Sequence, residues 1–286
     1  MSRRVFSLAA VIFLAVTTAG LAQDAAVPAA TRAQTECSGF IAPGPVSQDI
    51  YVKDGADDDY QSYTRQFVQG EFVYLDSLTS AGFSVGSEYR IIRPANEGAY
   101  AGFAGTQMAI RSFSRVDMYP GQAPSMRSLG TPYEDAGIVK ITQVTPEGAI
   151  AEVTFTCGAI YPSDIAISFQ ARPIPTYTPT KTFDRFAPPD GKRSGAITAT
   201  RANVAFLGIG DVAYVNLGSK DGASAGQRYR VFKIFREYEN GLRYLPPRPR
   251  ETVGEMIILS TQERSSVGII VNSTREIAAG DGIELE

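Results

Sequence analysis

Short stretches of alternating apolar and polar residues recur along this chain, a pattern typical of β-strands with one buried face. Residues 149–155 (Ala-Ile-Ala-Glu-Val-Thr-Phe) alternate in their second half, and residues 71–75 and 211–215 are short apolar runs rich in strand-forming residues. Turn-forming clusters, Ser80-Ala81-Gly82 and Lys220-Asp221-Gly222, follow these two runs. No long stretch has helical periodicity. The pattern therefore predicts an all-β protein.

An internal repeat relates the two apolar runs at a constant offset of 140 residues. Between segments 70–93 and 210–233, seven of 24 positions are identical. Because residues that recur in both copies of a repeat mostly serve the fold, we expect the shared residues to build a domain. The identical pairs are Gly70/Gly210, Tyr74/Tyr214, Gly82/Gly222, Ser84/Ser224, Gly86/Gly226, Tyr89/Tyr229 and Arg90/Arg230.

A second pair of matched segments, 137–164 and 254–281, follows at an offset of 117. The blocks occur in the same order in both copies, and the first copy carries 23 extra residues between them, within 94–135. We therefore predict two complete domains, each a small β-barrel or sandwich of five to seven short strands. The identical pairs of this block are Gly137/Gly254, Ile141/Ile258, Ile160/Ile277 and Asp164/Asp281.

Five prolines between residues 173 and 189 separate the two copies, and this density disfavours both helix and inner strand. We expect a stiff, extended linker there. The predicted organisation is a signal peptide at 1–22, a flexible leader and mixed N-terminal segment at 23–65, repeat one at 66–169, the Pro-rich linker at 170–194, and repeat two at 195–286.

The first 22 residues resemble a secretory signal. Arg3 and Arg4 precede a nearly continuous apolar run from 5 to 16, and Gly20-Leu21-Ala22 offers small residues to a signal peptidase. The run is shorter than the ~20 residues that span a bilayer. We predict cleavage near Ala22, a periplasmic or secreted protein, and no membrane span after cleavage. The alternative is an uncleaved N-terminal anchor.

The residue content excludes several kinds of chemistry. The sequence has no histidine, which removes the commonest general base, Ser-His-Asp and Cys-His nucleophile systems, and His-containing zinc sites. The formal charge of −3, which becomes −5 without Arg3 and Arg4, argues against nucleic-acid binding, for which a basic domain is expected. We expect no enzymatic activity, no cofactor, no metal and no nucleic-acid partner.

Two cysteines, Cys37 and Cys157, occur in this chain. An oxidising compartment favours pairing, and two cysteines leave one intramolecular connectivity. We predict a disulfide between them. The alternative is two reduced thiols, with Cys157 buried.

The second copy carries motifs of a known family. They run from Asp211 to Gly222 (Asp-Val-Ala-Tyr-Val-Asn-Leu-Gly-Ser-Lys-Asp-Gly), over 226–232 (Gly-Gln-Arg-Tyr-Arg-Val-Phe) and over 275–281 (Arg-Glu-Ile-Ala-Ala-Gly-Asp). This copy resembles the C-terminal domain of the flagellar assembly protein T family and the related β-domains that accompany LysM modules in bacterial envelope proteins. The resemblance implies a small SH3-like barrel in the periplasm or on the outer envelope, with no enzymatic activity attached to it.

One loop has the composition of a binding surface. Arg243, Tyr244, Arg248 and Arg250 surround three prolines between the two matched blocks of the second copy. A basic, aromatic loop stiffened by proline can bind an anionic polymer or the carboxylates of a partner. We identify it as a candidate partner-binding loop; the alternative is an exposed hairpin whose charges serve solubility.

Other polar groups are better explained by local structure. Asp54 and the aspartates at 57–59 lack EF-hand spacing, which favours a solvated turn over a calcium site. Asp164 and Asp281 belong to separate copies, which favours turn capping over a catalytic pair.

Together these features predict a non-catalytic exported envelope protein, a tandem β-domain scaffold for assembly or protein–protein interaction. Its expected partners are other envelope proteins. The alternative is a peptidoglycan- or polysaccharide-binding module, and a third hypothesis is a hydrolase that uses carboxylates alone.

Overall fold

A computed structural model describes residues 25–55, 66–79, 82–95, 129–180, 182–201, 204–234, 238–239, 243–244 and 249–286. The predicted signal peptide, the aspartates at 57–59, Arg248 and most of the 94–135 insertion lie outside these residues.

The described chain is built almost entirely of strands. One short helix occurs near the described N-terminus, and one 3-10 turn, Ser219–Asp221, lies between two strands of the second repeat. In chain order the elements are β1 (Val27–Pro28), α1 (Arg32–Glu36), β2 (Phe40–Ala42), β3 (Ile50–Gly55), β4 (Phe72–Ser77), β5 (Glu88–Pro94), β6 (Thr131–Thr145), β7 (Gly148–Thr156), β8 (Ile165–Ser168), β9 (Thr176–Tyr177), β10 (Ser194–Thr200), β11 (Val212–Val215), β12 (Arg228–Lys233), β13 (Tyr238–Glu239), β14 (Arg243–Tyr244), β15 (Glu251–Thr261), β16 (Ser266–Ser273) and β17 (Gly282–Leu285).

Twelve of these strands form two closed, antiparallel six-stranded barrels. The first runs in the order β3-β4-β7-β6-β5-β8 and closes between β8 and β3. The second runs in the order β10-β11-β16-β15-β12-β17 and closes between β17 and β10. Corresponding strands therefore follow one another in the same order around both barrels. The prediction of an all-β tandem of two small barrels is therefore confirmed.

Strand register is preserved between the copies at the two offsets seen in the sequence. Tyr89 pairs with Val139 in the first barrel, as Tyr229 pairs with Met256 in the second. Each pair joins the block with offset 140 to the block with offset 117. Tyr229 is fully buried in its barrel core, and Tyr89 packs against the core of the first. These tyrosines therefore serve packing, as expected.

The first barrel also includes β3, which the sequence analysis placed in the segment before the repeat. β3 corresponds to β10: Val52 pairs with Leu75 as Ile197 pairs with Val215, and a bulge follows each pair. The repeat is therefore longer than its two visible blocks.

Gly137 and Gly254 show why a glycine recurs at one position of both barrels. A Cβ atom on Gly137 would lie 2.6 Å from the carbonyl oxygen of Phe155, and one on Gly254 would lie 2.5 Å from that of Asn272. Since those oxygens belong to the neighbouring strand, the backbones can approach this closely only without a side chain.

Residues 27–42, which we call the wedge segment, pack between the two barrels. The leader predicted at the start of residues 23–65 is packed rather than flexible from the wedge segment onward, since Ala29, Ala30 and Thr35 are buried. The segment is ordered because the outer face of the second barrel is apolar on one side, and the wedge segment covers this apolar face. That face includes Val212, Tyr214, Ile257, Leu259, Val267 and Ile269, which form one cluster with Ala29, Ala30 and Ile41.

The proline-rich linker packs against the second barrel. β9 pairs with β1 of the wedge segment, and Arg185 donates to the Glu251 carboxylate at 2.7 Å. The linker therefore covers a second, charged side of the barrel. Within the described residues, no helix is long and apolar enough to cross a membrane.

Candidate functional site

The wedge segment fixes the geometry of the junction between the barrels. A capping box starts α1: the Thr31 hydroxyl accepts from the backbone N–H of Gln34, whose side chain accepts from the N–H of Thr31. The Gln34 amide then donates to the carbonyl of Gly210 at 2.9 Å. Tyr214 donates its hydroxyl to the carbonyl of Ser38, also at 2.9 Å. These bonds attach the wedge segment to the second barrel.

The predicted disulfide is confirmed, and it attaches the wedge segment to the first barrel. The sulfur atoms of Cys37 and Cys157 lie 1.99 Å apart, and the Cα atoms 5.3 Å apart. Cys37 ends α1, and Cys157 follows β7. The bond links residues separated by 120 positions, so on the chain-entropy model it contributes ~4–5 kcal/mol.

Three buried charged side chains and one partly buried one lie next to the disulfide. Arg90 pairs with Glu36 of the wedge segment and, at 3.2 Å, with Asp135. Arg172 pairs with Asp135 at 2.6 Å, and Asp135 also accepts from the N–H of Gly39 at 2.7 Å. The two positive and two negative charges balance. Removal of one member of this network would leave a buried charge unpaired.

A cleft of about 220 Å³ opens beside these groups, between the wedge segment and both barrels. Gly39 and the disulfide form one wall, Glu134 and Tyr161 come from the first barrel, and Arg201 comes from the second. Three distant parts of the chain therefore build one cleft.

Arg93, on the cleft wall, is held by the first barrel. Its guanidinium donates to the Asp164 carboxylate at 2.7 Å and to the carbonyl of Ala159 at 2.6 Å, and it lies 4.5 Å from the ring centre of Tyr161. Lys233 and Asp281 form the corresponding pair in the second barrel, at 3.5 Å. Each barrel therefore has a basic residue of its third strand paired with the repeated aspartate.

Asp164 and Asp281 cap turns in the way the sequence suggested. Asp164 accepts from the backbone N–H of Tyr161 at 2.8 Å, and Asp281 accepts from that of Ala278 at 2.8 Å. Burial raises the pKa of Asp164, and it raises the pKa of Asp281 to about 6 despite the opposing effect of Lys233. Because the two carboxylates lie in separate barrels, they do not form an acid–base pair.

Arg201 and Glu134 differ from the other charged residues of the cleft. Neither side chain makes a hydrogen bond or ion pair with any described residue, and the two side chains do not pair with each other. Sequence reasoning missed both, since neither belongs to a motif or to the shared positions of the repeat. Only the folded junction brings them together.

The candidate partner-binding loop is divided by the structure. Arg243 and Tyr244 form β14, which pairs with β13 in a small hairpin. Arg250 is directed inward: it pairs with Glu284, donates to the carbonyls of Ala187 and Pro188, and lies 4.6 Å from the ring centre of Phe232. Arg250 is thus engaged within the protein, and it fixes the linker to the second barrel.

The remaining candidates do not assemble into a site. Asp54 accepts from the N–H of Gly55 in β3. No group of three or more potential metal-binding side chains is found in the described part of the chain. The cleft at the junction is therefore the best-defined candidate site.

No protein-family model matches this chain, and no curated protein matches it.

Proposed function

We propose that this protein is a non-catalytic, exported envelope scaffold whose two barrels are presented to partners as one unit. The observation that carries the proposal is the wedge segment, which is disulfide-linked to the first barrel and packed on the second. A disulfide of this kind is maintained in an oxidising compartment such as the bacterial periplasm. A fixed spacing between two domains suits a protein that holds other proteins in register.

The β13–β14 hairpin is the partner-binding surface that we propose. It carries Arg243 and Tyr244 and leaves the second barrel between β12 and β15. Arginine and tyrosine are enriched where proteins bind one another. Arg250 is excluded from this surface because it pairs with Glu284 inside the molecule.

Localisation is tested by fractionating a Gram-negative host that expresses the full chain. We expect the protein in the periplasmic fraction, with its N-terminus at Gln23 and with both cysteines protected from alkylation before reduction. Protein that stays in the cytosol with two free thiols would refute the exported role.

The scaffold role is tested by photo-crosslinking in the same cells. A photoreactive amino acid at position 244 should yield protein adducts that excess unlabelled protein competes away. The matched control is position 142, where Thr142 is exposed on the first barrel. Equal adducts from both positions would contradict a specific surface, and retention of the purified protein on peptidoglycan sacculi at low salt would favour the polysaccharide-binding alternative.

A further inference from the structure

The cleft at the junction contains one positive and one negative side chain that have no partner among the described residues. Arg201 directly follows β10 of the second barrel, and Glu134 comes from β6 of the first. Both line the same cleft of about 220 Å³, yet they form no ion pair with each other. The other charged residues that line the cleft are paired, Arg93 with Asp164 and Asp135 with Arg90 and Arg172.

This arrangement selects the charge of a ligand. A simple anion would satisfy Arg201 and leave Glu134 facing a like charge, and a simple cation would do the reverse. A molecule with one carboxylate and one ammonium group would satisfy both at once. The remaining walls offer the disulfide, Ala136 and the Tyr161 ring, which suit a small apolar side chain.

The volume limits the size of such a ligand. Sites for drug-sized molecules occupy ~300–1,000 Å³, so a cleft of about 220 Å³ suits a smaller molecule. We propose that the cleft binds a small zwitterion of the α-amino acid or dipeptide class, with Arg201 binding the carboxylate and Glu134 binding the ammonium group. The proposal does not rest on the scaffold role or on the compartment.

The test is an NMR titration of the mature, disulfide-bonded protein with four probes at neutral pH. They are alanyl-alanine, its N-acetyl form, its C-terminal amide, and free alanine. We expect the free dipeptide or the free amino acid to shift the amide signals of Gly39 and Gly158, which line the cleft. Blocking either end should weaken binding about tenfold or more, because each block removes one charge-assisted hydrogen-bonded contact.

Two variants connect each end of the probe with its residue. The Arg201→Gln protein should bind the free and the amidated dipeptide with equal affinity. The Glu134→Gln protein should bind the free and the acetylated dipeptide with equal affinity. Arg264→Gln is the matched control, because Arg264 is exposed and lies at the opposite end of the second barrel from Arg201. It should bind all four probes as the native protein does.

Several results would overturn the proposal. One is that neither free probe shifts the cleft signals at 10 mM. Another is that free and blocked dipeptides bind equally well, and a third is that the acetylated dipeptide binds more tightly than the free one. Retention of native affinity by a folded Arg201→Gln protein would overturn it as well. Thermal unfolding of each variant shows whether it is folded. Loss of periplasmic localisation or of cross-links at position 244 would leave this result unaffected, so the two proposals fail separately.

Discussion

At the scale of single residues, Asp281 makes the stability of the second barrel depend on pH. Burial raises its pKa from 3.8 to about 6, so between these values the folded protein holds a proton that the unfolded chain has lost. The stability that Asp281 contributes is therefore full below about pH 4 and is lost as the pH rises through 6. The loss is about 3 kcal/mol at most.

Urea unfolding of the native protein and of Asp281→Asn at pH 4.5 and 7.5 checks this prediction. We expect the native protein to lose stability relative to the variant as the pH rises. If it instead gains stability relative to the variant, the ion pair with Lys233 outweighs burial and the pKa is lowered.

Gly137 is a second single residue on which the stability of the protein depends. Its Cβ position lies 2.6 Å from the carbonyl oxygen of Phe155, so Gly137→Ala must push two paired strands apart. We expect a loss of about 1–3 kcal/mol in unfolding free energy, measured by urea denaturation. Gly44→Ala is the control, since nothing lies within 4 Å of its Cβ position. Equal stability of the two variants would contradict the close approach.

Residue roles could be inferred from the sequence where they recur and are local. The capping aspartates bond to an N–H three residues away, so the repeat and the turn pattern were sufficient to predict them. Arg250 could not be predicted in this way. Its partner Glu284 is 34 positions away, and nothing in a proline-rich basic loop indicates that one arginine turns inward.

At the scale of elements, strands with glycine-marked turns could be predicted from the pattern, and the wedge segment could not. β3 and β10 share their pairing and their bulge but no obvious sequence identity, so only backbone geometry relates them. The wedge segment has the small, polar composition of a leader. It is ordered because the barrels offer it an apolar face, buried charges and a cysteine, all distant in sequence.

Arg90 tests how far the buried charges hold the wedge segment in place. Arg90→Met leaves Glu36 without its partner inside the protein, and we expect a loss of about 3–5 kcal/mol in unfolding free energy. The repeat provides the control, since Arg230 is the corresponding residue of the second barrel. One partner of Arg230, Asp190, is partly exposed, and the other, Glu284, also pairs with Arg250. Arg230→Met should therefore lower the unfolding free energy clearly less than Arg90→Met in the same assay. Equal losses would show that the network around Arg90 contributes no more than the ion pairs of Arg230.

At the scale of the whole molecule, the number of domains was visible in the sequence and their junction was not. The junction depends on contacts such as that between Tyr214 and Ser38, which are 176 positions apart. No pattern in either segment indicates such a contact, because each side chain is ordinary in its own strand or turn. The cleft, and the zwitterion site proposed there, likewise exist only once the two barrels and the wedge segment have come together.

The disulfide decides whether the two barrels unfold together. It fixes the wedge segment to the first barrel, while the same segment covers the apolar face of the second. In Cys37→Ser/Cys157→Ser, an open chain of 120 residues gains freedom in the unfolded state, so we expect a loss of up to ~4–5 kcal/mol. We also expect one unfolding transition for the oxidised protein and two for the variant, because the wedge segment that covers the second barrel is then no longer cross-linked to the first. Urea unfolding followed by amide NMR signals from each barrel measures both effects. If the variant keeps the native midpoint and one transition, the buried charges and apolar contacts alone couple the barrels.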